Sequence, residues 1–105
     1  MDDLLAKYRS VCQGLVIFTS GGGEILYASQ ETSPDSFQPY EIDVVDTLAA
    51  GDSFRAGVVY GVLQGMRDRD VVRFAAACSG VVCIRFPSVH EPPTLGEIET
   101  LMNAG

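Results

Sequence analysis

The sequence predicts an α/β fold, because short apolar runs typical of strands precede long segments with the apolar periodicity of helices. Leu15–Phe18 is an uninterrupted run of large apolar residues that leads into three glycines, which indicates a buried strand. After Gly51, apolar residues recur every three or four positions as far as Leu63, which is typical of a helix. The two patterns together favour a mixed α/β domain.

The order of elements along the chain is predicted to be α-β-β-β-α-α-α. The polar segment 30–39 contains two prolines and is expected to be a surface connection between the second and third strands. The predicted elements are a helix at Asp2–Ser10, strands at Leu15–Phe18, Ile25–Ala28 and Ile42–Val45, and helices at Asp52–Gln64, Asp68–Ile84 and Leu95–Asn103.

Length and composition limit the class of protein. A chain of 105 residues that is 47% hydrophobic is expected to form one globular domain over residues 1–105. A net charge of −7 argues against nucleic acid or an anionic membrane as the main partner. The apolar runs are far shorter than the ~20 residues that span a bilayer, and the acidic N-terminus is unlike a signal peptide. The expected compartment is the cytosol.

The cysteines and the histidine carry no sign of a metal site. Cys12, Cys78 and Cys83 lie in apolar segments without C-x-x-C spacing, which favours buried thiols over zinc ligands or a disulfide. His90 lies in a proline-rich loop and is expected to be a surface residue.

The segment Asp46–Gly57 places small residues and a carboxylate where a helix should begin. At Ala49, Ala50 and Gly51 no side chain is larger than methyl, so an anion could approach the N–H groups of the first helical turn. Asp52, beside this turn, could accept a proton from an attacking hydroxyl. The alternative is structural, since small residues often form a tight turn and aspartate often caps a helix.

Asp46–Gly57 closely resembles the signature D-T-x-[GA]-A-G-D-x-F-x-x-G of the ribokinase-like sugar kinases, the phosphofructokinase-B family. The resemblance implies the C-terminal part of a three-layer α/β/α fold. It also implies that Asp52 is the catalytic base for a substrate hydroxyl, and that Ala49, Ala50, Gly51 and Asp52 form the anion hole for the transferring phosphoryl group.

The glycine loop is similar to the family loop T-x-G-x-x-G, which contacts the phosphates and adenosine of ATP. The matching residues are Thr19, Ser20, Gly21, Gly22, Gly23 and Glu24, with Glu24 in the usual place of the second glycine. Glycine runs between strands are also common as plain hairpin turns. By the same resemblance Ala76 lies on the adenine side of the nucleotide, although alanine also permits close helix packing.

The resemblance implies ATP and Mg²⁺ as cofactors and, as in many members, a monovalent cation such as K⁺. Its ligands would be the Asp46 carboxylate and backbone carbonyls of Leu48 and near Val82 and Arg85. The loop after Arg85 departs from the usual R-x-G, because Pro87 stands where glycine is common.

Only the C-terminal third of a typical family member is matched, and the N-terminal sugar-binding sheet, the lid and the N-x-x-E motif have no counterpart. The expected function is ATP-dependent phosphorylation of a hydroxyl of a sugar or nucleoside, by a partial chain that is inactive alone. Self-association, or a partner that supplies the missing sheet, is expected. The alternative is a non-catalytic fragment that binds nucleotide weakly or binds only a partner chain.

Overall fold

The computed structural model of the protein describes residues 7, 10, 14–19, 23–30, 32–42, 44–45, 47–48, 50–84 and 93–104. The chain divides into two compact units, residues 1–39 and residues 40–105. Of the predicted N-terminal helix, Lys7 and Ser10 have helical backbone, and the remainder lies outside the described residues.

The first unit contains a three-stranded antiparallel sheet of β1 (Val16–Phe18), β2 (Ile25–Ala28) and β3 (Asp35–Phe37), in the order β1-β2-β3. In β2, Ile25 and Tyr27 are buried, as expected for the central strand. The pairing of β1 with β2 confirms that the glycine loop joins two strands that are adjacent in the sheet.

The position of the third strand differs from the prediction. The strand predicted at Ile42–Val45 is wrong, because the described residues of that segment are not in a strand. The third strand is instead Asp35–Phe37, within the predicted connection, where Phe37 is buried opposite Ile25. Pairing with the open edge of β2 and burial of one aromatic ring outweigh the low strand propensity of this polar segment.

The second unit contains three helices whose bounds lie within two residues of those predicted: α1 (Ala50–Leu63), α2 (Asp68–Cys83) and α3 (Leu95–Ala104). Helix α1 is terminated at Gly65, whose φ of 71° is readily adopted only by glycine. The N–H of Met66 donates to the carbonyl of Gly61 at 3.0 Å, and that of Gly65 to Val62 at 3.1 Å. This is a Schellman motif, which satisfies the terminal carbonyls and allows the chain to turn into α2.

Helix α3 begins with a reciprocal capping box. The N–H of Glu97 donates to Oγ1 of Thr94 at 3.1 Å, and the N–H of Thr94 donates to Oε1 of Glu97 at 2.9 Å. Two N–H groups at the helix start are thereby satisfied. No helix in the described parts of the chain is both long and apolar enough to cross a bilayer.

Helix α2 provides most of the core of the second unit. Phe74, Cys78 and Val81 pack with Ile98 of α3, and Leu101 contacts the same cluster. Burial raises the pKa of the Cys78 thiol to about 11, because a thiolate would lose its hydration there.

Two of the three cysteine predictions are confirmed. Cys78 and Cys83 are buried thiols that are not joined in a disulfide. Cys12 and His90 lie outside the described residues.

Glycines allow α1 and α2 to approach closely. A Cβ atom at Gly57 would lie 2.8 Å from Cα of Ala75 and 3.0 Å from Sγ of Cys78. At Gly61 it would lie 3.2 Å from Cγ2 of Val71. The two glycines are four residues apart and therefore lie on one side of α1, where they let the two helix backbones come together.

Candidate active site

The small-residue turn lies at the start of α1, where the sequence predicts it. The N–H of Ala50 donates to the carbonyl of Thr47 at 3.1 Å, and helical backbone continues through Gly51 and Asp52. The N–H of Ala50 therefore already has a partner. Among the described residues of the first turn, the backbone N–H groups that could still meet an anion are those of Gly51 and Asp52. Ala49 lies outside the described residues.

The space in front of Gly51 is open. A Cβ atom built at this position would have no heavy atom of the described residues within 4 Å, apart from its own neighbours in the helix. Gly51 is exposed, and its φ is not in the positive range. The absence of a side chain is therefore not required by the fold at this point, and it leaves room for a group outside the chain to reach the backbone.

The carboxylate of Asp52 projects into solvent beside this space. Its side chain is 87% exposed, and Oδ1 lies 3.3 Å from Nη1 of Arg55, whose side chain is 80% exposed. An exposed pair of this kind is weak, since water competes for both charges. The carboxylate of Asp52 is accordingly accessible to a substrate hydroxyl.

A backbone hydrogen bond ties the segment before the turn to the end of α2. The N–H of Val45 donates to the carbonyl of Cys83 at 2.7 Å. This bond brings together the two stretches from which the monovalent-cation ligands are predicted, since Asp46 follows Val45 and Val82 precedes Cys83. Leu48 is exposed, and the carbonyl of Val82 accepts a backbone N–H at the helix end.

Two of the predicted cation ligands, Asp46 and Arg85, lie outside the described residues. In the described parts of the chain, no three His, Cys, Asp or Glu side chains are grouped as a metal site. The K⁺ site therefore stays a prediction.

The residues predicted to bind nucleotide lie in both units. Thr19 and Glu24 flank the glycine loop and are exposed, and Gly23 is partly buried. Ser20, Gly21 and Gly22 lie outside the described residues. In the second unit Ala76 is 7% exposed on α2.

Two features near Asp52 were not predicted from the sequence, although both leave a signal in it. Arg55 follows Asp52 by three residues, the spacing at which opposite charges meet on a helix. Gly57, the last residue of the signature, is followed by Gly61 four positions later, a spacing that favours close helix packing. Gly57 therefore positions the helix that bears Asp52, from the side that faces α2.

Comparison with known proteins supports the resemblance seen in the sequence. The family profile of the pfkB family carbohydrate kinases matches residues 1–94. The chain belongs to the pfkB family. It is 35% identical over 63 residues to 5-dehydro-2-deoxygluconokinase of Shouchella clausii, across 60% of this chain and 19% of that protein. It is 30% identical over 88 residues to ribokinase of Schizosaccharomyces pombe, across 84% of this chain and 28% of that protein.

The fold is likewise that of the pfkB family. The structure of Arabidopsis thaliana ribokinase complexed with ribose and ATP superposes with a TM-score of 0.81 at 23% identity. The match covers 95% of this chain and 32% of the ribokinase chain. The predicted ribokinase-like α/β fold is thus confirmed, and the chain spans between about a fifth and a third of the length of these pfkB relatives.

Proposed function

We propose that this chain is the nucleotide-binding and proton-accepting part of an ATP-dependent kinase that phosphorylates a hydroxyl of a sugar or a related small molecule. The observation that carries the proposal is the pairing of an accessible carboxylate, Asp52, with an open backbone at Gly51 in the same helical turn. Family membership supports the carbohydrate class of the acceptor.

Asp52 would act as the general base. Its carboxylate would accept the proton of the attacking hydroxyl. Arg55 can hold one carboxylate oxygen at 3.3 Å while the other stays available to the substrate. Because the pair is exposed and weak, a substrate can displace Arg55 at little cost.

The backbone at the start of α1 would stabilise the transferred phosphoryl group. The N–H groups of Gly51 and Asp52 point out of the first turn, and the dipole of α1 favours negative charge at this end. In phosphoryl transfer the charge spreads over the equatorial oxygens, so fixed donors and correct positioning provide most of the catalysis. The space at Gly51 would admit a phosphate oxygen, because no atom of the described residues beyond the neighbouring turn lies within 4 Å of where a Cβ would be.

ATP and Mg²⁺ are the cofactors that this chemistry requires. Mg²⁺ neutralises the phosphate oxygens when bound, and it is usually held by one or two carboxylates together with those oxygens. Support for ATP comes from the Arabidopsis ribokinase, which is complexed with ribose and ATP.

The proposal can be tested by supplying the rest of the kinase. The chain replaces the segment that it matches in S. pombe ribokinase, and ATP consumption is measured with a panel of sugars and nucleosides. We expect acceptor-dependent turnover with native Asp52 and turnover at least ~10²-fold slower with Asp52→Asn. Arg55→Gln is the matched control, because it removes the partner charge in the same turn but keeps the base. Acceptor-dependent turnover by Asp52→Asn at the native rate would contradict the proposal.

A further inference from the structure

Arg55 is the only basic residue of α1, and it lies one turn after the small-residue turn. Its side chain is 80% exposed, and its hydrogen-bond partner within the described residues is one oxygen of Asp52, at 3.3 Å. A guanidinium carries five N–H donors in a planar fork, so a single contact of this length leaves most of them for a ligand. An exposed ion pair between residues three apart on a helix adds little stability. The fold alone therefore gives Arg55 a minor role.

The geometry of α1 directs the side chain of Arg55 toward the candidate site. Arg55 follows Gly51 by four residues and Asp52 by three, so at about 100° per residue it lies between them around the helix, about 40° from Gly51 and about 60° from Asp52. Side chains on a helix lean toward its N-terminus, so that of Arg55 reaches back over the first turn, as its contact with Asp52 shows. The open backbone, the carboxylate and the guanidinium therefore lie on one side of the helix end.

The contact between Arg55 and Asp52 also limits the distance from the guanidinium to the reacting hydroxyl. If Asp52 is the base, as in the proposed function on which this inference rests, the acceptor hydroxyl comes within about 3 Å of one carboxylate oxygen. Nη1 of Arg55 lies 3.3 Å from Oδ1 of Asp52, so the guanidinium is within about 8 Å of the hydroxyl, whichever oxygen accepts the proton. An acceptor of the size of a sugar can therefore contact both side chains at once.

We propose that Arg55 selects an acceptor that carries an anionic group, a carboxylate or a phosphate, in addition to the hydroxyl that is phosphorylated. A guanidinium binds two oxygens of such a group through parallel N–H donors, which provides orientation as well as affinity. The chain has a net charge of −7, so its overall charge does not attract anions. A preference for an anionic acceptor therefore requires a local cation at the site, and in α1 that cation is Arg55.

Binding of the anionic group changes the partner of Arg55. The pair with Asp52 is exposed and has a single contact, so a carboxylate or phosphate that accepts two hydrogen bonds competes well for the guanidinium. Once Arg55 has turned to the acceptor, both oxygens of Asp52 are available to the hydroxyl. A neutral sugar has no group that can replace the carboxylate, so Arg55 stays on Asp52. Arg55 thus favours the anionic acceptor both by binding it and by releasing the base.

The test compares acceptors that differ by one anionic group. The chain replaces the segment that it matches in S. pombe ribokinase, and calorimetric titration with a non-hydrolysable ATP analogue present gives Kd for two pairs, glucose with gluconate and fructose with fructose 1-phosphate. In at least one pair the anionic member should bind ~10-fold or more tightly, and Arg55→Gln should bring the two Kd values within about twofold. Arg55→Lys should keep part of the preference, because it retains the charge but not the planar fork. The pair that shows the preference distinguishes a carboxylate from a phosphate.

The matched control is Arg67→Gln, which removes the same charge from an exposed position beyond the other end of α1. It should change the preference less than about twofold, since a distant exposed charge is screened. Circular dichroism verifies that each variant keeps its helices.

Three results would overturn the inference. The first is the absence of a preference for either anionic acceptor, and the second is a preference that Arg55→Gln leaves intact or that Arg67→Gln removes equally. The third is equal weakening of both members of each pair by Arg55→Gln, which would assign Arg55 to the phosphates of the nucleotide. An Arg55-dependent preference in a chimera that consumes no ATP with any acceptor supports the inference and contradicts the proposed function. Turnover without such a preference contradicts the inference alone.

Discussion

Replacing Gly57 by alanine should destabilise the protein, although alanine is the better helix former. The new methyl carbon would lie 2.8 Å from Cα of Ala75, a backbone atom that cannot move without shifting α2. Overpacking of this kind costs ~1–3 kcal/mol, and contact with backbone favours the upper end. The higher helix propensity of alanine returns ~1 kcal/mol. The net loss in the free energy of unfolding is therefore about 2 kcal/mol, or roughly 10 °C in Tm for a domain of this size.

Two matched glycines in α1 serve as controls for this prediction. The new methyl group of Gly51→Ala meets no atom of the described residues outside its own turn within 4 Å, and the variant should raise the free energy of unfolding by ~0.5–1 kcal/mol through propensity alone. Gly61→Ala would contact side-chain and backbone atoms of Val71 at 3.2 and 3.3 Å and should fall between the other two. Urea unfolding followed by circular dichroism gives all three values. A Gly57→Ala protein as stable as the Gly51→Ala protein would refute the packing argument.

Three further predictions concern the site and the core. In a kinase that contains this chain, Asp52→Asn should lower kcat by ~10²–10⁴-fold and change the Kd for ATP only a few-fold, because the amide keeps the shape but cannot accept the proton. An unchanged kcat would remove Asp52 from the mechanism. Gly51→Val should block binding of nucleotide or a phosphate analogue in a folded protein, because the valine side chain crowds the first-turn N–H groups. Calorimetric titration measures the affinity. The Gly51→Ala variant is the control, since it also removes the glycine but adds only a methyl group. Wild-type affinity in the folded valine variant would make the turn structural only. The free energy of unfolding should fall between about pH 9 and pH 11, because the Cys78 thiol has its ordinary pKa of 9.0 when unfolded but a pKa of about 11 when buried. Below pH 9 the thiol is protonated in both the folded and the unfolded state, so its contribution to the free energy of unfolding is fully present. A Cys78→Ala variant whose free energy of unfolding falls equally steeply between pH 9 and pH 11 would contradict the assignment to Cys78.

The helices of the second unit could be predicted from the sequence because their apolar spacing and their ends carry local signals. The capping box at Thr94 and the glycine at Gly65 mark boundaries that depend on a few neighbouring residues. The third strand could not be predicted in the same way. Asp35–Phe37 is a strand because β2 offers an edge to pair with, a long-range cause that its own polar sequence does not show. Ile42–Val45 has strand composition, but the N–H of Val45 bonds to the end of α2 instead.

In the candidate site, the sequence predicts where the small-residue turn lies along the chain better than it predicts the contacts that the residues around the turn make. The position of Asp52 in the first turn of α1 follows from the spacing of apolar residues after it, which is a local property. The partner of the Ala50 N–H and the contact between Gly57 and α2 depend on how segments meet in space. The sequence could therefore indicate which residues matter, and the structure was needed to separate donors at the turn from residues that position the helix.

The hydrogen bond between Val45 and Cys83 has a consequence for how this region can diverge among related proteins. It joins main-chain atoms, so neither side chain contributes to it. Any residue other than proline at position 45 preserves the donor, and any residue at position 83 preserves the acceptor. This backbone hydrogen bond between the segment before the turn and the end of α2 can thus be kept while the residues at both positions are substituted. Homologues should retain this attachment in their structures even where an alignment shows no shared residue at either position.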